Sequence, residues 1–244
     1  MPRTAEIIAV GSELLTGGVT NTNARFLSEL LTAAGVDVLY HTAVGDDEGR
    51  LEAAVTAARQ RAELLVCTGG LGPTYDDVTK TAVCAALDTP LVFHPDIVPD
   101  IRRYFDTVFH REMPACNLRQ AYLPPGCTVF RNPVGTAPGC AFTAGGVTAV
   151  LLPGVPSECR YLAEHCLLPY LERLHGQVIR SHDLRIFGLT EPQVQELLND
   201  LLHQEKELTL APYAGTGEVS LHLSARAADD AACEARMAPL LAEV

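Results

Sequence analysis

The chain has 244 residues, 48% of them hydrophobic and 20% charged, and carries a formal net charge of −12. This length and composition suit one large globular domain with a small appendage, and the acidic balance disfavours nucleic acid or an anionic membrane as the main partner. No apolar run approaches the roughly eighteen residues of a membrane span, and MPRTAEIIAVG is too briefly apolar for a secretion signal. The eight cysteines (Cys67, Cys84, Cys116, Cys127, Cys140, Cys159, Cys166 and Cys233) include no C-x-x-C pair and sit mostly among apolar or small neighbours. They read as reduced, buried thiols of a cytoplasmic protein, which leaves zinc ribbons and redox pairs without support.

Residues 6–10 read as a first buried strand that runs into Gly11-Ser12-Glu13. After the loop Thr16-Gly17-Gly18, Asn21 or Thr22 caps a helix with Phe26, Leu27, Leu30 and Leu31 on one face, and Gly35 closes it. Residues 36–44 form a second strand, Gly45-Asp46-Asp47-Glu48 starts a second helix, and residues 62–67 form a third strand. This βαβαβα alternation with short loops predicts a mostly parallel sheet covered by helices on both faces.

The third strand enters the most informative stretch, VCTGGLGPTYDDVTKT at 66–81. A buried strand, a tight glycine turn and a helix opening at Asp76-Asp77 together make an anion site, because free N–H groups and the positive end of the helix dipole face the turn. The glycines let a phosphate lie against bare main chain. An aspartate beside that phosphate repels it, by on the order of 4 kcal/mol at about 4 Å and an effective dielectric near 20. A divalent cation between the two reverses the sign, so the stretch reads as phosphate, metal and carboxylate. The plainer alternative is an ordinary strand–turn–helix with Asp76 as its N-cap.

Further along, residues 95–110 look helical, and residues 120–142 give short extended pieces broken by Pro124-Pro125-Gly126 and by the loop 132–139. Residues 147–152 form another buried strand, followed by the turn 153–158 and a helix that buries Cys159, Leu162, Cys166 and Leu167. Around 174–176 the pattern changes to strand 178–187, helix 191–203, strands 208–213 and 219–225, and a last helix at 228–242. The division is a nucleotide- or phosphate-binding domain over 1–174 and a small α+β module over 175–244. The strand ends of the larger domain should gather the turns at 11–13, 45–47, 69–77 and 153–158 on one edge, with loop 132–139 able to close over a ligand.

Six segments in this order, GSELLTG at 11–17, TNA at 22–24, VGDD at 44–47, TGGLGPTYDDVT at 68–79, NPVGTAPG at 132–139 and LPGVPSE at 152–158, resemble the N-terminal domain of the CinA (competence/damage-inducible) family. That domain shares the molybdopterin-binding fold of the molybdenum-cofactor proteins, and residues from 178 onward resemble, more loosely, the KH-like domain that follows it in CinA. The resemblance implies a three-layer α/β sandwich whose pocket takes a nucleotide or pterin phosphate with a divalent ion, Mg2+ or a transition metal. It also implies hydrolysis of ADP-ribose to AMP and ribose 5-phosphate, and self-association as a homodimer. The alternatives are a molybdopterin-type adenylyltransferase or metal-insertion activity, and a nucleotide-binding scaffold without turnover. The L-G-P-T-x-D-D form of the turn favours the CinA side. CinA-type chains often continue into a nicotinamide-mononucleotide deamidase domain; nothing here resembles it, so that activity is expected to be absent.

By the same resemblance Asp77 is a metal ligand or water-orienting base, and Asp46 takes a second metal or water role. Gly69, Gly70 and Gly72 supply N–H groups, with hydroxyls from Thr68 and Thr74. Gly11 and Ser12 belong to the pocket edge. Glu13 takes a ribose hydroxyl or caps its loop, and Asn23 donates to the ligand or starts its helix. Lys80 reaches a phosphate or pairs with Asp76 or Asp77 along the helix. Asn132, Gly135, Thr136, Ala137 and Gly139 line the pocket; Pro153, Gly154 and Pro156 shape a turn; Ser157 or Glu158 caps a helix or touches substrate. The histidines lack metal-like spacing, and neither G-x-S-x-G nor H-E-x-x-H is present. The C-terminal module lacks a G-x-x-G clamp, and from Gly176 on it has five basic residues against eleven acidic ones, which argues against RNA.

Overall fold

The computed structural model describes residues 2, 4–175, 178–202, 208–215 and 217–243. Its contacts divide the chain into two compact units, Met1–Thr32 with Val36–Tyr170, and Ala33–Gly35 with Leu171–Val244.

In the larger unit β1 (Thr4–Val10), a one-turn helix α1 (Ser12–Leu15), α2 (Thr22–Ala33), β2 (Asp37–Val44), α3 (Glu48–Ala58), β3 (Leu64–Thr68) and α4 (Thr79–Ala86) follow one another. Then come β4 (Val92–Phe93), α5 (Val98–Tyr104), β5 (Tyr122–Leu123), β6 (Thr128–Phe130), β7 (Gly139–Ala144), β8 (Val147–Leu152), α6 (Pro156–Leu162) and α7 (Leu168–His175). Six strands make one sheet in the order β2-β1-β3-β8-β7-β6. The first four are parallel, and the hairpin partners β7 and β6 add antiparallel strands at one edge. A mostly parallel sheet is the expected result.

The parallel strands are apolar runs because helices cover both faces. All five residues of β3 and all six of β8 are buried. Ile8, Val10, Leu65, Cys67 and Leu151 pack with Leu51 and Val55 of α3 and Ala82 and Val83 of α4 in one core. Their alternating neighbours Ile7, Ala9, Val66 and Leu152 are equally buried on the other face. Glu6 is the polar exception in β1, 0% exposed. Two Arg61 nitrogens donate to its two oxygens, both at 2.8 Å, and the Thr42 hydroxyl donates at 2.6 Å.

Helix boundaries follow the caps. Asn21 Oδ1 accepts from Ala24 N–H, and Gly35 turns the chain out at φ +64°. Asp47 caps α3 by accepting from Arg50 N–H. The helix expected to open at Asp76-Asp77 instead opens at Thr79. Its N-cap, Val78, has no side-chain bond, because Asp77 turns back into the loop and Thr79 is tied to the glycines through Thr79 N to Gly70 O and Thr79 Oγ1 to Gly69 O.

The smaller unit pairs β9 (Val178–Phe187), β10 (Leu208–Ala214) and β11 (Glu218–Ala227) as an antiparallel sheet in the order β10-β11-β9. The helix expected over 191–203 is α8 (Glu191–Leu197) with a short α9 (Asn199–Leu202), and residue 203 lies outside the described residues. α10 (Asp230–Glu243) closes a core of Val194, Leu221, Leu223, Cys233, Met237 and Leu240. The division between units falls at Tyr170/Leu171, inside α7, where the sequence pattern placed it after 174.

Candidate functional site

In the order β2-β1-β3 the chain goes to one side of β1 and returns to the other, so the carboxyl ends of β1 and β3 border the point where strand order reverses. A crevice of about 200 Å3 opens there, lined among others by Val10, Glu13, Asn23, Thr68, Gly154 and Pro156. Its polar floor is organised by Asn23 at the start of α2. The Asn23 amide donates to Thr68 Oγ1 at 3.1 Å and to Gly154 O at 2.8 Å, while Thr68 Oγ1 donates to Pro153 O at 2.9 Å. One side chain thereby ties α2 to the ends of β3 and β8. The turns after those two strands touch, since a Cβ on Gly154 would stand 3.1 Å from Gly69 Cα.

The loops after β1 and β2 are joined by a reciprocal pair. Ser12 N–H donates to Asp46 Oδ2 at 2.8 Å, and Asp46 N–H donates to Ser12 Oγ at 3.2 Å. Gly11 N–H bonds to Val44 O, and Gly11 lies beneath the Glu13 carboxyl. Asp46 Oδ1 accepts no hydrogen bond among the described residues.

Asp77 is more committed. Its Oδ1 accepts from Gly72 N–H at 2.7 Å, and its Oδ2 from Thr74 N–H at 2.8 Å and from the Thr74 hydroxyl. The glycine turn is therefore an anion cradle that already holds an anion. This corrects the expected supply of N–H groups. Gly72 N–H serves the Asp77 side chain and Gly69 N–H serves Leu152 O, so of the three glycines Gly70 alone has an N–H without a partner among the described residues. Gly69 acts through shape, at φ +102° with Val10 O where a Cβ would go. Thr74 Oγ1 is likewise spent on Asp77. Asp76 is exposed, and the Thr74 hydroxyl turns to Asp77 instead.

Asp46 and Asp77 sit on separate loops, with no hydrogen bond between them among the described residues. Among the described residues no group of three or more His, Cys, Asp or Glu side chains could hold a metal ion. The donor set thus lacks a protein cage. It suits a hard cation that brings its own phosphate and water ligands and takes one or two carboxylates from the protein.

Beside Asp77 a second cleft, of about 240 Å3, is lined by Gly72, Asp77, Lys80, Thr81, Leu91, Arg119 and Tyr122. Lys80, on the first turn of α4, is buried, and its Nζ donates to Arg119 O at 2.7 Å instead of pairing with Asp76 or Asp77. Arg119 Nη1 reaches Pro73 O at 3.4 Å and Thr74 O at 3.1 Å, clamping the Asp77 loop. Arg119, in the 3-10 helix Ala115–Ala121, and Tyr122, at the start of β5, belong to no motif in the sequence, and only the fold brings them to the turn.

Loop 132–139 is fastened from within. Asn132 Nδ2 donates to Ala137 O at 2.9 Å and to Glu158 Oε2 at 2.5 Å, and Val134 N–H donates to Asn132 Oδ1. Gly135 lies under the Glu158 carboxyl, and Thr136 Oγ1 accepts from Gln120. Burial pushes the Glu158 carboxyl above its ordinary range against the pull of the Asn132 bond. Asn132, Gly135 and Thr136 line a small recess with Asp100 and Arg131, apart from the crevice, and Gly139 is a buried strand residue in β7. No disulfide forms among the described cysteines; Cys116 is exposed, while burial pushes the thiols of Cys67 and Cys84 up to about 12.

The family model described as "Probable molybdopterin binding domain" matches residues 6–173, and that described as "Damage-inducible protein CinA KH domain" matches 181–244. The chain belongs to the CinA family. A competence-damage inducible protein of Acetivibrio thermocellus is 44% identical over 223 residues, covering 91% of this chain and 54% of that protein. One from Streptococcus gordonii is 43% identical over 240 residues, covering 98% and 57%. The chain thus spans little more than half the length of these CinA relatives. The crystal structure of CinA from Thermoplasma acidophilum, described as of unknown function, aligns with a TM-score of 0.61 and 35% identity over 66% of this chain and 94% of that one. No helix among the described residues is long and apolar enough to cross a membrane.

Proposed function

We propose that the larger unit is a metal-dependent nucleotide pyrophosphatase, cutting ADP-ribose or a similar nucleotide diphosphate into AMP and a sugar phosphate. The observation that carries this reading is the cradle at the glycine turn, where Gly72 and Thr74 N–H groups converge on two carboxylate oxygens at 2.7 and 2.8 Å beside the strand-order reversal. Donors that hold a carboxylate suit a phosphate of the same charge sign and similar oxygen spacing.

In the proposed reaction the nucleoside lies in the crevice at Asn23 and Thr68, and the diphosphate crosses the glycine turn. A phosphate taking the cradle displaces Asp77, and the released carboxylate, with Asp46 and its open oxygen, becomes available to a divalent cation. That cation, when bound, neutralises charge on the diphosphate oxygens. Asp77 or Asp46 orients the attacking water; the water oxygen bonds to phosphorus, the bridging P–O bond breaks, and the water proton passes to the carboxylate. Positioning and charge stabilisation carry most of such a rate.

Incubation with ADP-ribose and Mg2+ or Mn2+, followed by product analysis, tests the reading. AMP and ribose 5-phosphate that vanish with chelator and in Asp77→Ala are expected; no AMP with any divalent ion overturns it. The family description favours one rival ligand, a pterin phosphate, which calorimetry against ADP-ribose separates. Self-association as a homodimer is part of the proposal, and light scattering tests it.

A further inference from the structure

The cleft around Lys80 shares no lining residue with the crevice at Asn23 and Thr68. In a chain of formal charge −12, it brings together two cations, Lys80 and Arg119, against one carboxylate, Asp77, whose oxygens are already hydrogen-bonded. Lys80 is 7% exposed, and its single acceptor among the described residues is Arg119 O. Burying an ammonium with so little compensation is unfavourable. Arg119 uses Nη1 on the Pro73 and Thr74 carbonyls, and neither cation makes an ion pair among the described residues. Thr81, Leu91 and Tyr122 also line it. Two cations whose described acceptors are all main-chain carbonyls, one carboxylate already engaged by Gly72 and Thr74, and a cavity beside the glycine-turn cradle suit an anion.

We propose that this cleft is a phosphomonoester seat, holding the sugar phosphate that leaves when the diphosphate is cut. The assignment to the leaving half rests on the pyrophosphatase reading; the seat itself rests on Lys80, Arg119 and the cavity. The two clefts then hold the two products on either side of the bond that breaks.

The seat has its own pH signature. Burial pulls the Lys80 pKa down to about 8, with Cys140 and Asp77 drawing it back, Arg119 lowering it further and Cys84 raising it slightly. Between pH 7 and 9 a phosphomonoester is already a dianion, since its second pKa lies near 6. Over that interval the Cys84 and Cys140 thiols, held well above their ordinary values, stay neutral. A fall in affinity across it therefore reports loss of the Lys80 charge.

The test is calorimetric titration of the full chain with ribose 5-phosphate, inorganic phosphate and AMP, in wild type, Lys80→Met and Arg119→Gln. Met replaces a buried amine without a cavity, and Arg119 is exposed, so at least one variant folds; thermal melts check both. Expected are simultaneous binding of AMP and ribose 5-phosphate, and weakening of ribose 5-phosphate by on the order of tenfold in either variant. AMP affinity should stay within about twofold in Lys80→Met, and ribose 5-phosphate binding should weaken as pH rises through 8. Competition between AMP and ribose 5-phosphate for one site, equal loss of both in the variants, or a flat pH profile overturns the seat. Absence of ADP-ribose hydrolysis with ribose 5-phosphate binding intact overturns the pyrophosphatase reading and the leaving-group assignment, while the seat stands.

Discussion

Removing the Asp77 carboxylate should open the glycine turn without unfolding the domain. Its two main-chain donors, Gly72 N–H at 2.7 Å and Thr74 N–H at 2.8 Å, make charge-assisted bonds in a half-buried site. Such bonds contribute about 1.5–3 kcal/mol each, and partial solvent access argues for the lower end, so the loop loses about 3 kcal/mol of closure free energy in Asp77→Ala. At about 1.4 kcal/mol per factor of ten, the amides of Gly72 and Thr74 should exchange with solvent on the order of a hundredfold faster. Amides in β3, such as Val66, should keep their rates. Asp77→Asn should fall between, because its amide group presents a donor to one of the two N–H groups. Hydrogen exchange read by NMR gives these rates residue by residue. ADP-ribose added to the Ala variant, which on the proposed mechanism does not turn it over, should restore the protection as a phosphate takes the carboxylate's place. Unchanged exchange at Gly72 and Thr74, equal acceleration in β3, or no recovery with ADP-ribose would refute the view of the turn as an anion cradle.

Three further outcomes follow from the packing. Gly69→Ala puts a Cβ 2.1 Å from Val10 O at φ +102°, and because the obstacle is backbone it should cost on the order of 3 kcal/mol or more; Gly126→Ala, at φ +68° in open space, should cost about 1 kcal/mol, and equal denaturation midpoints would contradict this. Asn23→Ala removes the bridge from α2 to Thr68 and Gly154, so AMP affinity measured by calorimetry should drop on the order of tenfold, and undiminished binding would remove the crevice from the site. Glu158 carries a pKa raised by burial, so its contribution to stability is fully present below the unfolded value near 4.5 and is lost as pH rises through its folded pKa. Glu158→Gln should therefore melt with wild type at pH 4 and above it at pH 7; a variant that gains nothing at pH 7 counts against this.

Much of the fold was readable because buried parallel strands need continuous apolar runs and short helical caps, and both are local. Residues 6–10, 62–67 and 147–152 stand out for that reason, as do the Asn21 cap and the Gly35 stop. The start of α4 was not readable in the same way. An Asp-Asp pair before an apolar helix has the local chemistry of a cap, and only the tertiary position of Gly72 and Thr74 makes the carboxylate turn backwards. Arg119 was invisible for a related reason, since nothing near it in the chain gives it work; it meets Pro73 and Thr74 across forty-five residues or more of sequence.

The same contrast separates what the site is from how it is used. Glycines placed after a buried strand fix where bare main chain can meet an anion, and that much is chemistry of neighbouring residues. Which donors remain open depends on competition between distant groups. Gly69 N–H goes to Leu152 O because β8 lies beside β3, and Gly72 N–H goes to Asp77 because the turn folds back on itself. An anion arriving from outside must therefore outbid an internal carboxylate held at higher effective concentration. A singly charged ligand gains little by that exchange, whereas a diphosphate that brings a cation turns the displaced Asp77 from a competitor into a ligand. On the proposed reading the arrangement selects for a metal-bearing diphosphate over a simple anion, so free acetate or chloride should leave the exchange of Gly72 and Thr74 in the wild-type chain unaltered while ADP-ribose with Mg2+ changes it.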